Sequence, residues 1–88
     1  MSFAVLLHPR AARSLKKLHP SIRSRILESM KELERTPEKG DRMKPSQFRR
    51  LRIGDYRVIY EIDMQSKRAI VLHIGHRKNI YDDFARLF

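Results

Sequence analysis

Cysteine and tryptophan are absent from this 88-residue chain. Without thiols there is no disulfide framework and no thiolate zinc site. No apolar stretch approaches the roughly 18 residues of a membrane-spanning helix. Nor does a long apolar run follow a basic segment near the N-terminus, as it would in a signal peptide. A cytoplasmic protein that avoids membranes is therefore expected. Only three glycines are present, and no repeat or low-complexity tract is visible. Negative charge is also missing over a long stretch. No carboxylate precedes Glu28, although Arg10, Arg13, Lys16, Lys17, Arg23 and Arg25 all fall before it.

Positive charge is what the chain has in excess. Twenty Lys and Arg against ten Asp and Glu give a formal net charge of +10 and a pI of about 10.7. That is the electrostatic footprint of a protein whose partner is anionic, nucleic acid above all. A chain of this length makes one small domain over residues 1–88, burying only roughly 60% of its unfolded surface, so its core must be compact.

The pattern of apolar residues orders the chain as β-α-α-β-β-β-α. Phe3 to Leu7 is a short apolar run that reads as a buried strand. Pro9 suits the first turn of a helix, and Ala12, Leu15 and Leu18 recur at helical spacing as far as His19-Pro20. A second helix starts at Pro20, with a stripe formed by Ile22, Ile26, Leu27, Met30 and Leu33. The two helices should form an antiparallel hairpin. Thr36-Pro37 through Lys44-Pro45 is punctuated by proline and glycine and reads as a loop. From Phe48 the period falls to two, giving strands at Phe48 to Ile53, Tyr56 to Ile62 and Lys67 to Gly75, with a looser turn at Asp63 to Ser66. A closing helix is expected from about Lys78 to Leu87. The fold class is α+β, a small and mostly antiparallel sheet with a helical hairpin on one face and a short C-terminal helix.

Gly54-Asp55 suits a two-residue hairpin turn, and that turn sets Arg52 opposite Arg57. Directly opposed like charges destabilise a sheet, and a guanidinium fork matches phosphate oxygens in a bidentate way. An anion that answers both arginines is the simplest resolution. Strand parity then sorts the faces. Leu51, Ile53, Tyr56, Val58, Tyr60 and Ile62 make an apolar face that should receive the helices, with Tyr56 and Tyr60 as packing residues. Phe48, Arg50, Arg52 and Arg57 gather on the other face, a basic surface with an aromatic, as single-stranded nucleic acid requires. Phe48 is either a stacking platform there or a residue covered by the closing helix. Arg49 and Arg42 read as solvated or snorkelling side chains. His73 and His76 lie three apart with no third ligand in view, so no metal or other cofactor is expected.

The segment Leu51-Arg52-Ile53-Gly54-Asp55-Tyr56-Arg57-Val58-Ile59-Tyr60, the closing segment His73-Ile74-Gly75-His76-Arg77-Lys78-Asn79-Ile80-Tyr81 and the order of elements together resemble the RelE/ParE superfamily of toxin-antitoxin toxins, the RelE branch most of all. The resemblance covers nearly the whole chain. It implies a ribosome-dependent endoribonuclease that cleaves mRNA in the decoding site by metal-free 2′-hydroxyl attack, held inactive by an acidic RelB-like antitoxin. It also implies that the toxin-antitoxin complex binds operator DNA through the antitoxin. By position, Arg57 matches the arginine that steadies the scissile phosphate and Arg77 the arginine with a leaving-group or phosphate-stabilising role. Tyr81 falls where a C-terminal tyrosine orients the substrate base, at a shorter spacing than in some members. Arg50 and Phe48 stand where the family offers lysines, and these two are departures.

Metal-free cleavage needs the 2′-hydroxyl to lose a proton, the phosphorane charge to be stabilised and the 5′-oxygen to gain a proton. Arginines meet the second need. A guanidinium does not give up its proton, so Arg50 is not a base, which leaves Tyr81, His76, Lys44 or the ribosome for that role. The site expected to act on the phosphate is Arg57, Arg77, Tyr81 and Arg50. RNA contacts are expected from Arg52, Phe48, Lys44, His76 and Lys78, and from Lys16, Lys17 and Arg13 on the first helix. Two other readings stand beside the nuclease: a ParE-like poison of DNA gyrase, and a nucleic-acid-binding member that no longer cleaves.

Overall fold

Two prolines and two histidines open the first two helices. In a computed structural model that describes residues 2–87, Pro9 starts helix α1 (Pro9–Lys16) and Pro20 starts helix α2 (Pro20–Lys31). Each proline lacks the N–H that a first turn leaves unpaired. The histidine before each acts as the cap: His8 Nδ1 accepts from the Arg10 N–H at 3.1 Å, and His19 Nδ1 from the Ser21 N–H at 3.2 Å. Two 3-10 turns, Glu32–Glu34 and Pro37–Lys39, follow α2.

The strands are β1 (Ala4–Leu7), β2 (Asp41–Arg42), β3 (Arg49–Ile53), β4 (Tyr56–Asp63) and β5 (Arg68–His76), and helix α3 (Ile80–Leu87) closes the chain. They form one sheet in the order β1-β5-β4-β3-β2. The pairing is antiparallel except for β1, which runs parallel to β5. The α+β architecture and the order of the expected elements hold. The strand β2 is an addition, since its two residues lie inside the segment read as a loop.

One core lies between the sheet and the first two helices. Ala11 and Leu15 of α1 and Ile26 and Met30 of α2 meet Leu51, Ile53, Val58, Tyr60, Val71 and Ile74 from the sheet. Burying an aliphatic side chain of this size contributes roughly 1.5–3 kcal/mol. The opposite face carries a second, smaller core of Ile59, Leu72, Ile80 and Phe84, with Met43, Phe48 and Ile70 packed against it. This corrects the expectation that one face would receive all the helices: α3 lies on the face that carries the arginines. The β4–β5 register shifts between Ile59, opposite His73, and Tyr60, opposite Val71. The extra residue on β5, Leu72, joins the second core beneath α3.

The strand read as buried is another correction, since Leu6 and Leu7 of β1 are exposed at the sheet edge, and Arg49 is a third. Its Nη1 donates to the carbonyls of Gly40 at 2.8 Å and Glu38 at 3.2 Å, so it ties the segment before β2 to the sheet. Tyr60 does the same from inside the core. Its hydroxyl accepts from the Gly40 N–H at 2.9 Å and donates to the Pro37 carbonyl at 2.6 Å. Gly40 has to be glycine for this, because a Cβ there would lie 2.6 Å from the Arg50 carbonyl and 2.8 Å from the Tyr60 ring.

Candidate functional site, a cationic cleft beside the C-terminal helix

The β3–β4 hairpin turns at Gly54, whose φ of 58° favours a residue without a Cβ. Its register sets Arg52 opposite Arg57 and Arg50 opposite Ile59, as the two-residue turn requires. All three arginines share the face covered in part by α3. Gly75 of β5 lies opposite Arg57 on the ladder's other side. Its missing side chain makes room for Ile80, whose Cδ1 would sit 3.1 Å from a Cβ placed there. With Ile80 seated so closely, α3 brings Tyr81 to the arginines.

The result is an open cleft of about 460 Å³ lined by Arg50, Arg52, Arg57, Arg77, Lys78 and Tyr81. Five cations and one phenol define its chemistry: it receives anions and carries one hydroxyl. Each arginine of the cleft has a partner within the chain. Arg57 folds back so that Nη1 donates to the carbonyls of Gly54 at 2.9 Å and Tyr56 at 2.8 Å. Arg52 leans the other way, its Nε 3.7 Å from Asp41 Oδ2. The Nε of Arg77 lies 3.5 Å from Asp55 Oδ1, and its backbone N–H donates to the Asp55 carbonyl at 2.7 Å. Arg50 Nη1 donates to the Tyr81 hydroxyl at 3.2 Å, with its guanidinium 5.7 Å from the ring centroid. The opposed pair Arg52 and Arg57 is thus relieved from inside the protein, by a carboxylate and two carbonyls.

Of the residues singled out from the sequence, the structure brings Arg50, Arg52, Arg57, Arg77, Lys78 and Tyr81 together. Phe48 sits beside them in the packing under α3, its ring edge-to-face with Phe84 at 5.0 Å and 84°. His76 does not line the cleft. Its ring meets that of Tyr56 at 5.4 Å, and its Nδ1 accepts from the Lys78 N–H at 3.2 Å. Lys44 is exposed between β2 and β3, away from the cleft. Arg13 and Lys16 of α1 and Lys17 at its C-terminal cap are exposed, and α1 packs on the opposite face of the sheet. Sequence reasoning missed the two carboxylates. Asp55 was legible only as a turn residue, and Asp41 comes within reach of Arg52 only once β2 pairs with β3.

On the far flank of α3, His73 lies buried in a second depression lined by Arg10, Asp83, Arg86 and Leu87. Burial pulls its imidazole below the usual histidine range; the nearby Asp83 charge opposes that shift and Arg10 adds to it. No three His, Asp or Glu side chains gather into a possible metal site among the described residues. Among them, too, no helix is long and apolar enough to cross a membrane.

This architecture is that of the toxins of the RelE/ParE superfamily. The model of the ParE toxin of type II toxin-antitoxin systems, parDE, matches residues 5–81, and the chain belongs to that family. Solved structures are also similar to it. A chain of the RelBE2 toxin-antitoxin complex from Mycobacterium tuberculosis has 27% identity over 88% of this chain and 93% of that one, with a TM-score of 0.79. For the archaeal RelE-RelB complex from Pyrococcus horikoshii OT3 the identity is 29%, over 88% and 97%, with a TM-score of 0.76. Free E. coli toxin RelE, carrying two arginine-to-alanine changes, covers 100% of this chain and 99% of its own at 18% identity and a TM-score of 0.80, which shows the shared fold. No curated protein matches the sequence.

Proposed function

We propose that this toxin is a ribosome-dependent endoribonuclease that cuts mRNA in the decoding site. The observation that carries the reading is the cleft itself, where Arg50, Arg52, Arg57, Arg77 and Lys78 surround a space beside the Tyr81 hydroxyl. In the reaction the 2′-oxygen loses its proton and bonds to phosphorus. The bond from phosphorus to the 5′-oxygen breaks, and that oxygen takes up a proton. Arg57 and Arg77 stabilise the charge that builds on the phosphorane, and Arg52 holds the phosphate between them. Arg50 donates to the Tyr81 oxygen, which leaves the phenolic hydrogen free to pass to the departing 5′-oxygen. Arginine cannot accept the 2′-proton. His76 and Lys44 lie outside the cleft, so the base comes from the ribosome-mRNA complex, which also fixes the in-line geometry.

The partner follows from charge and from similar structures. Both the M. tuberculosis and P. horikoshii proteins are seen in complexes with RelB-type antitoxins, and a chain of net charge +10 favours an acidic one. An antitoxin helix that covers the cleft, or displaces α3 and with it Tyr81, removes the site from RNA. Operator DNA is then bound through the antitoxin.

The test is single-turnover cleavage of ribosome-bound mRNA in a reconstituted translation system, with 5′-end mapping. Loss of one charge-stabilising donor costs about 10²-fold or more, so Arg57→Ala and Arg77→Ala should each be that much slower. Cleavage by Arg57→Ala at the wild-type rate would sink the assignment. The match to the ParE family favours a second reading, a poison of DNA gyrase. It predicts DNA damage signalling with intact mRNA after induction. A member that binds RNA without cutting it would leave translated transcripts without codon-phased ends.

A further inference from the structure

Helix α2, on the other face of the sheet from the cleft, brings another guanidinium to the hairpin turn. A methyl group placed on Gly54 would lie 3.4 Å from both terminal nitrogens of Arg25. On its other side the same glycine offers its carbonyl to Arg57 Nη1 at 2.9 Å. One turn residue therefore has a guanidinium on each flank. Tracing bond lengths through Gly54 keeps the two charged heads within about 10 Å of each other.

Arg25 differs from the arginines of the cleft in one respect. Arg50, Arg52, Arg57 and Arg77 each have a hydroxyl, carbonyl or carboxylate within the chain. Arg25 is exposed and has no such partner among the described residues. The carboxylate at the hairpin tip, Asp55, is turned to Arg77. Beyond Arg25 the helix continues towards its start through Arg23, in the part of the chain without carboxylates. An anionic polymer leaving the cleft past Gly54 meets Arg25, while the Asp55 carboxylate at the tip is drawn to Arg77.

We propose that Arg25 binds the phosphate next to, or one beyond, the scissile phosphate of the same RNA strand, so that the strand bends round the Gly54-Asp55 tip from the cleft onto α2. This rests on the reading of the cleft as an RNA site and adds a path to it. The separation of the two guanidinia suits phosphates that are close neighbours on one strand, and each contact releases condensed counterions. Arg25 is a binding residue in this scheme and touches no reacting atom.

The experiment uses the intact protein and two probes, a ten-nucleotide RNA with 2′-O-methyl sugars, which cannot be cleaved, and a dinucleoside monophosphate with a single phosphate. Affinities are titrated across a range of KCl concentrations. For the longer RNA, Arg25→Gln should weaken binding about threefold to tenfold and reduce the slope of log K against log salt by roughly 0.7. Arg25→Lys should restore the slope. On the dinucleotide, Arg25→Gln should bind as the wild type does, whereas Arg57→Ala should weaken both probes. An unchanged salt slope for Arg25→Gln with a weakened Arg57→Ala removes the path round the tip, and leaves Arg25 to contacts such as ribosomal RNA. An equal loss on both probes also overturns the path, because it places Arg25 at the first phosphate. An Arg57→Ala variant that binds both probes normally overturns the RNA reading of the cleft itself, and the path with it.

Discussion

Replacing Tyr60 by phenylalanine removes a single oxygen atom, and the structure states what that oxygen does. It is fully buried, accepts from the Gly40 N–H at 2.9 Å and donates to the Pro37 carbonyl at 2.6 Å. The ring keeps its packing in the variant, so the cost is that of leaving two backbone groups unpaired. At about 1–3 kcal/mol for a buried group without its partner, and with some relief from water, Tyr60→Phe should lose about 2–4 kcal/mol. Stability for a domain of this size is of the order of 4–13 kcal/mol, so the loss is a sizeable fraction. With a urea m-value of roughly 1 kcal/mol/M, the unfolding midpoint should fall by about 2–4 M at neutral pH. Amide exchange at Gly40 should speed up as well. The loss has a pH signature. Burial raises the Tyr60 pKa above its ordinary value of 10.0. The folded state thus favours the neutral phenol, and the stability from this group is complete below pH 10 and is lost as pH rises through the folded pKa. Tyr60→Phe should lack this group's contribution to alkaline destabilisation. A midpoint shift below ~0.5 M would refute the reasoning, since the hydroxyl would then hold nothing that water cannot.

Other perturbations have equally definite outcomes. Because burial lowers the His73 pKa, the unfolded chain takes up its proton first as pH falls. Stability from neutral His73 is therefore complete above about pH 6.5 and is lost as pH drops through the folded pKa; in His73→Leu the urea midpoint should change less between pH 7.5 and 5. Asp55→Asn keeps the carbonyl that accepts the Arg77 N–H and removes only the carboxylate beside its guanidinium. Single-turnover cleavage should slow by about threefold to tenfold from loss of orientation, while the melting temperature stays nearly constant, because exposed ion pairs contribute little. In Gly75→Ala the new methyl meets Ile80 Cδ1 at 3.1 Å and presses on α3. The strain should cost roughly 1 kcal/mol and lower the melting temperature by about 4–8 °C, with slower cleavage as Tyr81 moves from Arg50.

Periodicity and turn chemistry made the hairpin legible to the residue. Gly54-Asp55 specifies the opposition of Arg52 and Arg57, and alternation places Leu51 and Val58 in the core. Less local features escaped. Asp41 and Arg42 are two residues with no period of their own, and they become a strand because Tyr60 and Arg49 hold the segment before them. Both of those anchors lie on other strands. The position of α3 was hidden for a similar reason. Ile59 and Leu72 look like ordinary strand residues, and only the register shift beside Ile59 shows that Leu72 faces the same way to form a second core. The cleft's arginines were readable as a group, but their carboxylate partners depend on tertiary contacts.

One consequence follows from the way the cleft's arginines are held. Each has a partner before any RNA arrives, through Gly54 and Tyr56, Asp41, Asp55 or Tyr81. A site assembled by folding alone has no resting form to be switched out of. If it cuts RNA and an antitoxin covers the cleft as proposed, its action in a cell lasts only while that cover is absent.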